Sequence, residues 1–211
     1  MHYFLSFLLS FFSLFAIAQT TEAKLIDAVA KSDLAYLRKY VNASNVNTIN
    51  TKQQSLLMMA TYDNNFPVAE ILVNKGADVN QQDATLNSPF LYAAASGYTN
   101  LVKLYLENGA KFDVYNKYHG TALIPAAEKG HVEVVKLLVN TPNFPINHIN
   151  KLGWTALLEA IILGDGSEKY VQVISLLLEA GADKNIVDEQ GANAYQHAKI
   201  LGFKEIMKML E

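Results

Sequence analysis

Cysteine is missing from all 211 residues. No disulfide can staple this chain, no thiolate serves as nucleophile or metal ligand, and no cysteine follows the N-terminal run to carry a lipid. Charge is scarce as well. The formal net charge is −3, with neither the basic stripe that binds nucleic acid nor the block of like charges that marks a solvating tail. The chain also lacks a Gly-x-Ser-x-Gly elbow, a phosphate-cradling glycine loop, a dinucleotide fingerprint and a His-x3-His pair. No catalytic residue, metal site or cofactor is therefore expected. What the chain has in plenty is apolar material, 51% of its residues, enough for one domain with a sizeable core.

The N-terminus stands apart. Phe4 to Ile17 is an apolar run interrupted only by serines, shorter than the roughly 20 residues a membrane-spanning helix needs. It ends in Ala16-Ile17-Ala18, with small residues at the two positions a signal peptidase reads, and polar Gln19-Thr20-Thr21-Glu22 follows. This pattern predicts a secretory signal peptide over 1–18, cleaved after Ala18. The mature domain is then 19–211, periplasmic or secreted and with no stable membrane insertion. The leader carries no Lys or Arg before its apolar run, only the amino terminus and His2. An uncleaved membrane anchor is the alternative.

The rest of the chain repeats itself. Ser55-Leu56-Leu57-Met58-Met59-Ala60 recurs as Ser88-Pro89-Phe90-Leu91-Tyr92-Ala93, as Thr121-Ala122-Leu123-Ile124-Pro125-Ala126 and as Thr155-Ala156-Leu157-Leu158-Glu159-Ala160. A weaker copy is Asn193-Ala194-Tyr195-Gln196-His197-Ala198, so the steps are 33, 33, 34 and 38 residues. The first four motifs are each followed by a segment with helical apolar spacing: Val68 to Val73, Leu101 to Leu106, Val132 to Val139 and Val171 to Leu178. Three of these run into glycine, at Gly76-Ala77-Asp78, Gly109-Ala110-Lys111 and Gly181-Ala182-Asp183, as suits a helix C-terminus where φ turns positive.

The period and the Thr-Pro-Leu-His-x-Ala pattern resemble the ankyrin-repeat family over about residues 22–211. The resemblance implies an all-α solenoid of about six stacked helix–turn–helix units with hairpin-like loops. The units fall at about 22–50, 51–83, 84–116, 117–150, 151–188 and 189–211. One unit cannot bury its apolar face alone. Stacked neighbours share a core, and polar end units cap it. Lys24, Asp27, Lys31, Arg38 and Lys39 supply the N-terminal cap, and the segment ending Lys204 to Glu211 supplies the other.

The pattern breaks in three places. Unit four ends Asn140-Thr141-Pro142-Asn143-Phe144-Pro145-Ile146, where two prolines stop the helix. Unit five carries an insertion at Gly164-Asp165-Gly166-Ser167-Glu168-Lys169, read either as a neutral loop or as an extra contact. Pro125 falls past the first turn of a helix opened by Thr121, which predicts a kink. Gly120 to Leu138 and Gly153 to Gly166 together resemble a group of exported bacterial ankyrin proteins, which implies a periplasmic or secreted setting and names no partner.

In the family that the chain resembles, ligands dock on a concave surface of loop tips and first helices. Its variable positions correspond to Lys52, Gln54 and Tyr62 in unit two and to Thr85 and Asn87 in unit three. In units four and five they are Lys117, Tyr118 and Glu128, then Leu152, Trp154 and Ile162. Trp154 is the only tryptophan and Tyr118 lies one repeat away. Aromatic residues with a dry surround dominate binding energy at interfaces, although Trp154 packing on its own neighbouring loop is the plainer alternative. His119 takes the place of the usual loop glycine, so that tip is expected to be reshaped.

The expectation is a non-catalytic, exported scaffold that binds a partner protein through its concave face, and that is itself a monomer. A C-terminal cap exposing Phe203, Ile206 and Met207 would instead permit self-association. One alternative is a binder of a small ligand or envelope polymer, with Tyr and Trp stacking on sugar rings. Another is an enzyme, with His119 and His148 approaching across adjacent tips near Glu159 and Asp165. His131, following Gly130, is read as ordering its loop.

Overall fold

The computed structural model describes residues 21–211. The leader reading of 1–18 lies outside the described residues. Those residues form helices and no strand: α1 (21–30), α2 (Leu34–Tyr40), α3 (Leu56–Tyr62), α4 (Phe66–Asn74), α5 (Pro89–Ala95) and α6 (Thr99–Glu107). There follow α7 (Leu123–Glu128), α8 (Val132–Val139), α9 (Ala156–Ile162), α10 (Glu168–Glu179), α11 (Ala194–Leu201) and α12 (Lys204–Leu210). The chain divides into two compact units at Asp78 and Val79.

The motif builds each first helix. Its leading hydroxyl caps the helix: Ser55, Ser88 and Thr155 accept from the N–H of Met58, Leu91 and Leu158. In the last copy Asn193 forms a reciprocal capping box with Gln196. The closing alanine of every copy, Ala60, Ala93, Ala126, Ala160 and Ala198, is buried to within 1%, so the helices approach closely with no side chain to displace.

In the N-terminal unit, α2 and α3 both pack on α4, which turns Val68, Ala69, Ile71 and Leu72 inward. In the C-terminal unit, four helix pairs stack. The first helices α5, α7, α9 and α11 pack side by side as one row, and α6, α8, α10 and α12 as a second. Between the rows lie Leu101, Val102 and Tyr105 from α6, Val134, Val135 and Leu138 from α8, and Val173, Ile174 and Leu177 from α10. Each such side chain stabilises the fold by about 1.5–3 kcal/mol. Asparagines tie successive pairs. Asn80 bonds the Gly109 carbonyl and the Lys111 N–H, and Asn147 bonds Gly181 and Asp183 in the same way.

The breaks in the pattern are built in. Pro125 causes no kink, because α7 begins at Leu123. The proline then sits in the first turn, where its missing N–H has no acceptor to lose. The shift leaves Thr121 without a capping role, and its hydroxyl is buried and unpartnered. After α8 the left-handed residue is Asn143 (φ +61°) in place of a glycine, and Phe144 follows it into the core. Phe144 is 6% exposed, and its ring centre lies 4.7 Å from that of Phe112.

The insertion before α10 is held from both sides. Tyr170 donates to the Glu128 carbonyl at 2.8 Å, and Gly166 (φ +71°) lies against the Phe203 ring. Gly164 leaves no room for a Cβ, which would meet the Ala160 carbonyl and the Tyr170 ring. At the C-terminus, Ile206 is buried, and Phe203 and Met207 are half-buried. They therefore do not form the exposed face expected of them; Ile200 and Leu201, 78% and 44% exposed, stand out instead.

Candidate functional site

Each loop tip is organised by an Asn or Asp five residues before the motif, a recurrence that the motif comparison alone misses. Asn50 accepts from the N–H groups of Lys52 and Gln54, and Asp83 from Thr85 and Asn87. Asn116 accepts from Tyr118 and Gly120, Asn150 from Leu152 and Trp154, and Asp188 from Gln190 and Ala192. The residue three beyond each is left-handed: Gln53, Leu86, His119, Gly153 and Gly191, with φ between +59° and +78°. His119 thus adopts the same turn as its counterparts and does not reshape the tip. The side chain's cost in that region, about 1–2 kcal/mol, is met by the bonds to Asn116.

Neighbouring tips of the C-terminal unit are laced together. The Gln82 amide donates to the carbonyls of Leu86 and Tyr115, both at 2.7 Å. The Lys151 N–H donates to the Tyr118 carbonyl at 2.9 Å. The His148 ring nitrogen lies 2.6 Å from the His119 carbonyl. Tyr115 stacks on His119 and His148, with ring centres 4.1 and 4.7 Å away.

These contacts fix the expected strip. In the N-terminal unit Lys52 is exposed, while Gln54 and Tyr62 are half-buried. In the C-terminal unit Thr85 and Lys117 are exposed, and the Lys117 ammonium stands 4.8 Å from the centre of the Tyr118 ring. Tyr118 and Leu152 project from neighbouring tips, 49% and 45% exposed; Ile149 is exposed on the tip of Leu152, and Leu86 and Val187 are exposed on the tips before and after these two. Asn87, Glu128, Trp154 and Ile162 are half-buried. The exposed aromatic is therefore Tyr118 rather than Trp154.

The charged groups are equally placed. Glu159 is 5% exposed and accepts from the Asn150 side chain at 2.7 Å. Burial, reinforced by the negative charge of Glu128, pushes its carboxyl up to about 7 against the pull of Asn150. One repeat on, His197 bonds Asp188 in the corresponding geometry at 2.7 Å. The Ala192 N–H, with His197 adding, holds the Asp188 carboxyl below its usual range. His131 stands against Gly97, with its ring nitrogen 3.3 Å from the Ala95 carbonyl. Burial holds it below the ordinary histidine range, helped by Lys129 and Lys169.

His119 and His148 do approach, but the acid–base grouping with Glu159 and Asp165 is not assembled. His148 precedes α9 and Asp165 follows it, and a seven-residue helix separates its ends by about 10 Å. Glu159 turns to Asn150, and Asp165 is exposed and bonds the Ser167 N–H. Among the described residues no group of three or more His, Asp or Glu is placed to hold a metal ion, and no helix is long and apolar enough to cross a membrane. An open groove of about 500 Å³, lined by Lys103, Leu106, Lys136 and Leu137, lies on the second-helix row, away from the strip.

Models of ankyrin repeats match residues 56–104 and 90–188. The chain is 33% identical over 165 residues to the ankyrin repeat protein YahD of Escherichia coli (strain K12), covering 78% of this chain and 82% of that one. Among solved structures it is similar to an ankyrin repeat domain from Acinetobacter baumannii AYE. The TM-score is 0.86 and the identity 44%, over 90% of this chain and 96% of that one. A second ankyrin repeat protein gives a TM-score of 0.85 at 36% identity, over 88% and 95% of the two chains.

Proposed function

The chain belongs to the ankyrin-repeat family, and on that premise we propose that it is a non-catalytic scaffold, exported from the cytoplasm, that binds one partner protein through its loop tips and first helices. Repeats of this family generally mediate protein–protein interaction. The observation that carries the reading for this chain is the row of exposed apolar side chains on rigid tips, with Tyr118 and Leu152 at its centre. Apolar residues held in place on hydrogen-bonded loops lose little entropy on binding, and exposed apolar side chains that recur on successive tips offer a partner apolar surface to bury. Export rests on the apolar run from Phe4 to Ile17 and the Ala16-Ile17-Ala18 site.

The test uses the full-length gene with a C-terminal affinity tag, expressed in its own host. Cells are fractionated, the mature N-terminus is sequenced, and the tagged protein is crosslinked and purified beside a Tyr118→Ala/Leu152→Ala variant. The expected result is an N-terminus at Gln19 in the envelope or culture fluid, and one protein captured by the parent and lost from the variant. A chain retained with its leader in the cytoplasm refutes export. An identical set of proteins from both chains refutes the assignment of the tips.

A further inference from the structure

The loop tips ahead of α7, α9 and α11 each place one residue directly after the organising Asn116, Asn150 and Asp188: Lys117, Lys151 and Glu189. All three are exposed. Along the stack this row reads positive, positive, negative. The first two tips are joined by bonds. The Lys151 N–H donates to the Tyr118 carbonyl at 2.9 Å, and the Lys151 ammonium lies 3.5 Å from the Lys117 carbonyl. The Lys117 ammonium stands 4.8 Å from the centre of the Tyr118 ring. Two cations and an aromatic ring are thus gathered on one pair of tips, and Leu152, 45% exposed, follows Lys151.

Neither cation is neutralised. Among the described residues no carboxylate forms an ion pair with Lys117 or Lys151. An ammonium has three N–H donors, so one carbonyl or one ring face leaves the others to water. The acidic side chains of the tips are committed elsewhere. Asp83 and Asp188 are buried and accept main-chain N–H groups of their own loops, and Glu159 is buried against Asn150. Glu189 lies along Gly153, close enough for an added Cβ there to meet its Cγ at 3.2 Å, so a negative group closes the row one tip beyond Leu152. That sequence of charges decides the class of anion. A nucleic acid needs a longer basic stripe, and its run of phosphates would meet Glu189 after two cations. A short acidic peptide with an apolar side chain beside its carboxylates matches both the two lysines and the two exposed apolar groups.

Building on the scaffold reading above, we propose that the partner presents an acidic segment to these two tips, with Asp or Glu side chains against Lys117 and Lys151 and an aliphatic or aromatic side chain on Tyr118 and Leu152. The lysines steer encounter and reject basic segments, and the apolar pair supplies the anchoring contact.

The experiment selects random dodecapeptides displayed on phage against the protein purified from its own host. The binding of each enriched peptide is then measured by fluorescence anisotropy to the parent and to Lys117→Gln, Lys151→Gln, Lys151→Glu and Tyr118→Ala variants. Far-UV circular dichroism of each variant checks that it is folded. The expected peptides carry two or more Asp or Glu within a few residues of an aliphatic or aromatic side chain, and their binding weakens as sodium chloride is raised. Each Gln variant weakens binding by about three-fold and Lys151→Glu by about ten-fold or more. Exchanging one peptide carboxylate for lysine restores binding to Lys151→Glu and weakens binding to the parent. Enriched peptides that are basic or uncharged, or binding indifferent to both lysines, overturn the proposal. So does a single-stranded oligonucleotide that binds as tightly as the peptides and is lost in the lysine variants, which would make the row a nucleic-acid contact. Peptides that depend on Tyr118 but on neither lysine leave the scaffold reading standing and refute an acidic partner. A selection that enriches no peptide refutes the acidic segment, and if no protein is captured in cells either, the scaffold reading falls with it.

Discussion

Thr121 and Thr155 hold the same place in consecutive copies of the repeat, yet replacing each with valine is expected to change stability in opposite directions. Thr155 is 2% exposed, and its hydroxyl accepts the Leu158 N–H at 3.3 Å. Removing that cap leaves a buried donor without a partner and costs about 1 kcal/mol. Thr121 is 1% exposed and its hydroxyl bonds nothing, because Pro125 has moved the start of α7 to Leu123. An unpaired buried hydroxyl costs about 1–3 kcal/mol, and valine fills the same volume without it. Thr121→Val is thus expected to stabilise by about 1 kcal/mol and Thr155→Val to destabilise by about as much. Urea unfolding of the two variants beside the parent, read as a shift in midpoint at constant slope, measures both. If both variants lose stability by similar amounts, the Thr121 hydroxyl has a partner and the account of α7 is wrong.

Three further outcomes follow from the same geometry. The Glu159 carboxyl is raised to about 7 in the folded chain from an ordinary 4.5, so folding favours its protonated form. The benefit is complete below pH 4.5 and is lost as pH rises to about 7, a fall of up to about 3 kcal/mol. Glu159→Gln keeps the bond to Asn150, so it should flatten this limb in urea titrations across that range and be more stable than the parent at pH 8. Gly164→Ala forces a Cβ against the Ala160 carbonyl and the Tyr170 ring and should cost about 2 kcal/mol or more, whereas alanine at Asp165, an exposed position, should shift the thermal midpoint little. Asn116→Ala frees the N–H groups of Tyr118 and Gly120. It should speed their hydrogen exchange while leaving that of Leu152 slow, and uniform loss of protection over both tips would contradict separate anchoring.

The repeat was legible in the sequence because each copy reuses one physical solution: a hydroxyl cap, apolar residues facing the core and an alanine where helices touch. Ser88, Phe90 and Ala93 declare all three within six residues. The organising Asn and Asp side chains were equally regular, five residues ahead of each motif, but their role is a bond to main-chain N–H groups, and composition does not reveal where those point. Pro125 does not kink the chain because its helix does not start where the motif places it. Sliding the start by one residue relative to the other copies sacrifices one cap at Thr121 and spares a mid-helix proline penalty of about 3 kcal/mol, so the slide is the lesser cost. Trp154 drew notice by its rarity, yet exposure decides what a partner meets, and Tyr118 has more of it. The grouping of His148, Glu159 and Asp165 failed for a reason of length: nearness in sequence across a whole helix is distance in space. Glu159 is the instructive case. Its position in the motif is filled by Met59, Tyr92, Pro125 and His197 in the other copies, so the repeat tolerates any chemistry there, and a carboxylate at a site buried to 5% is not required by the fold. The Asn150 amide offsets part of its cost, as His197 and Asp188 satisfy each other one repeat later. A group that the fold does not need and that is costly to bury is where this chain departs from its own template, and the raised Glu159 carboxyl turns that departure into a stability that falls as pH rises toward 7.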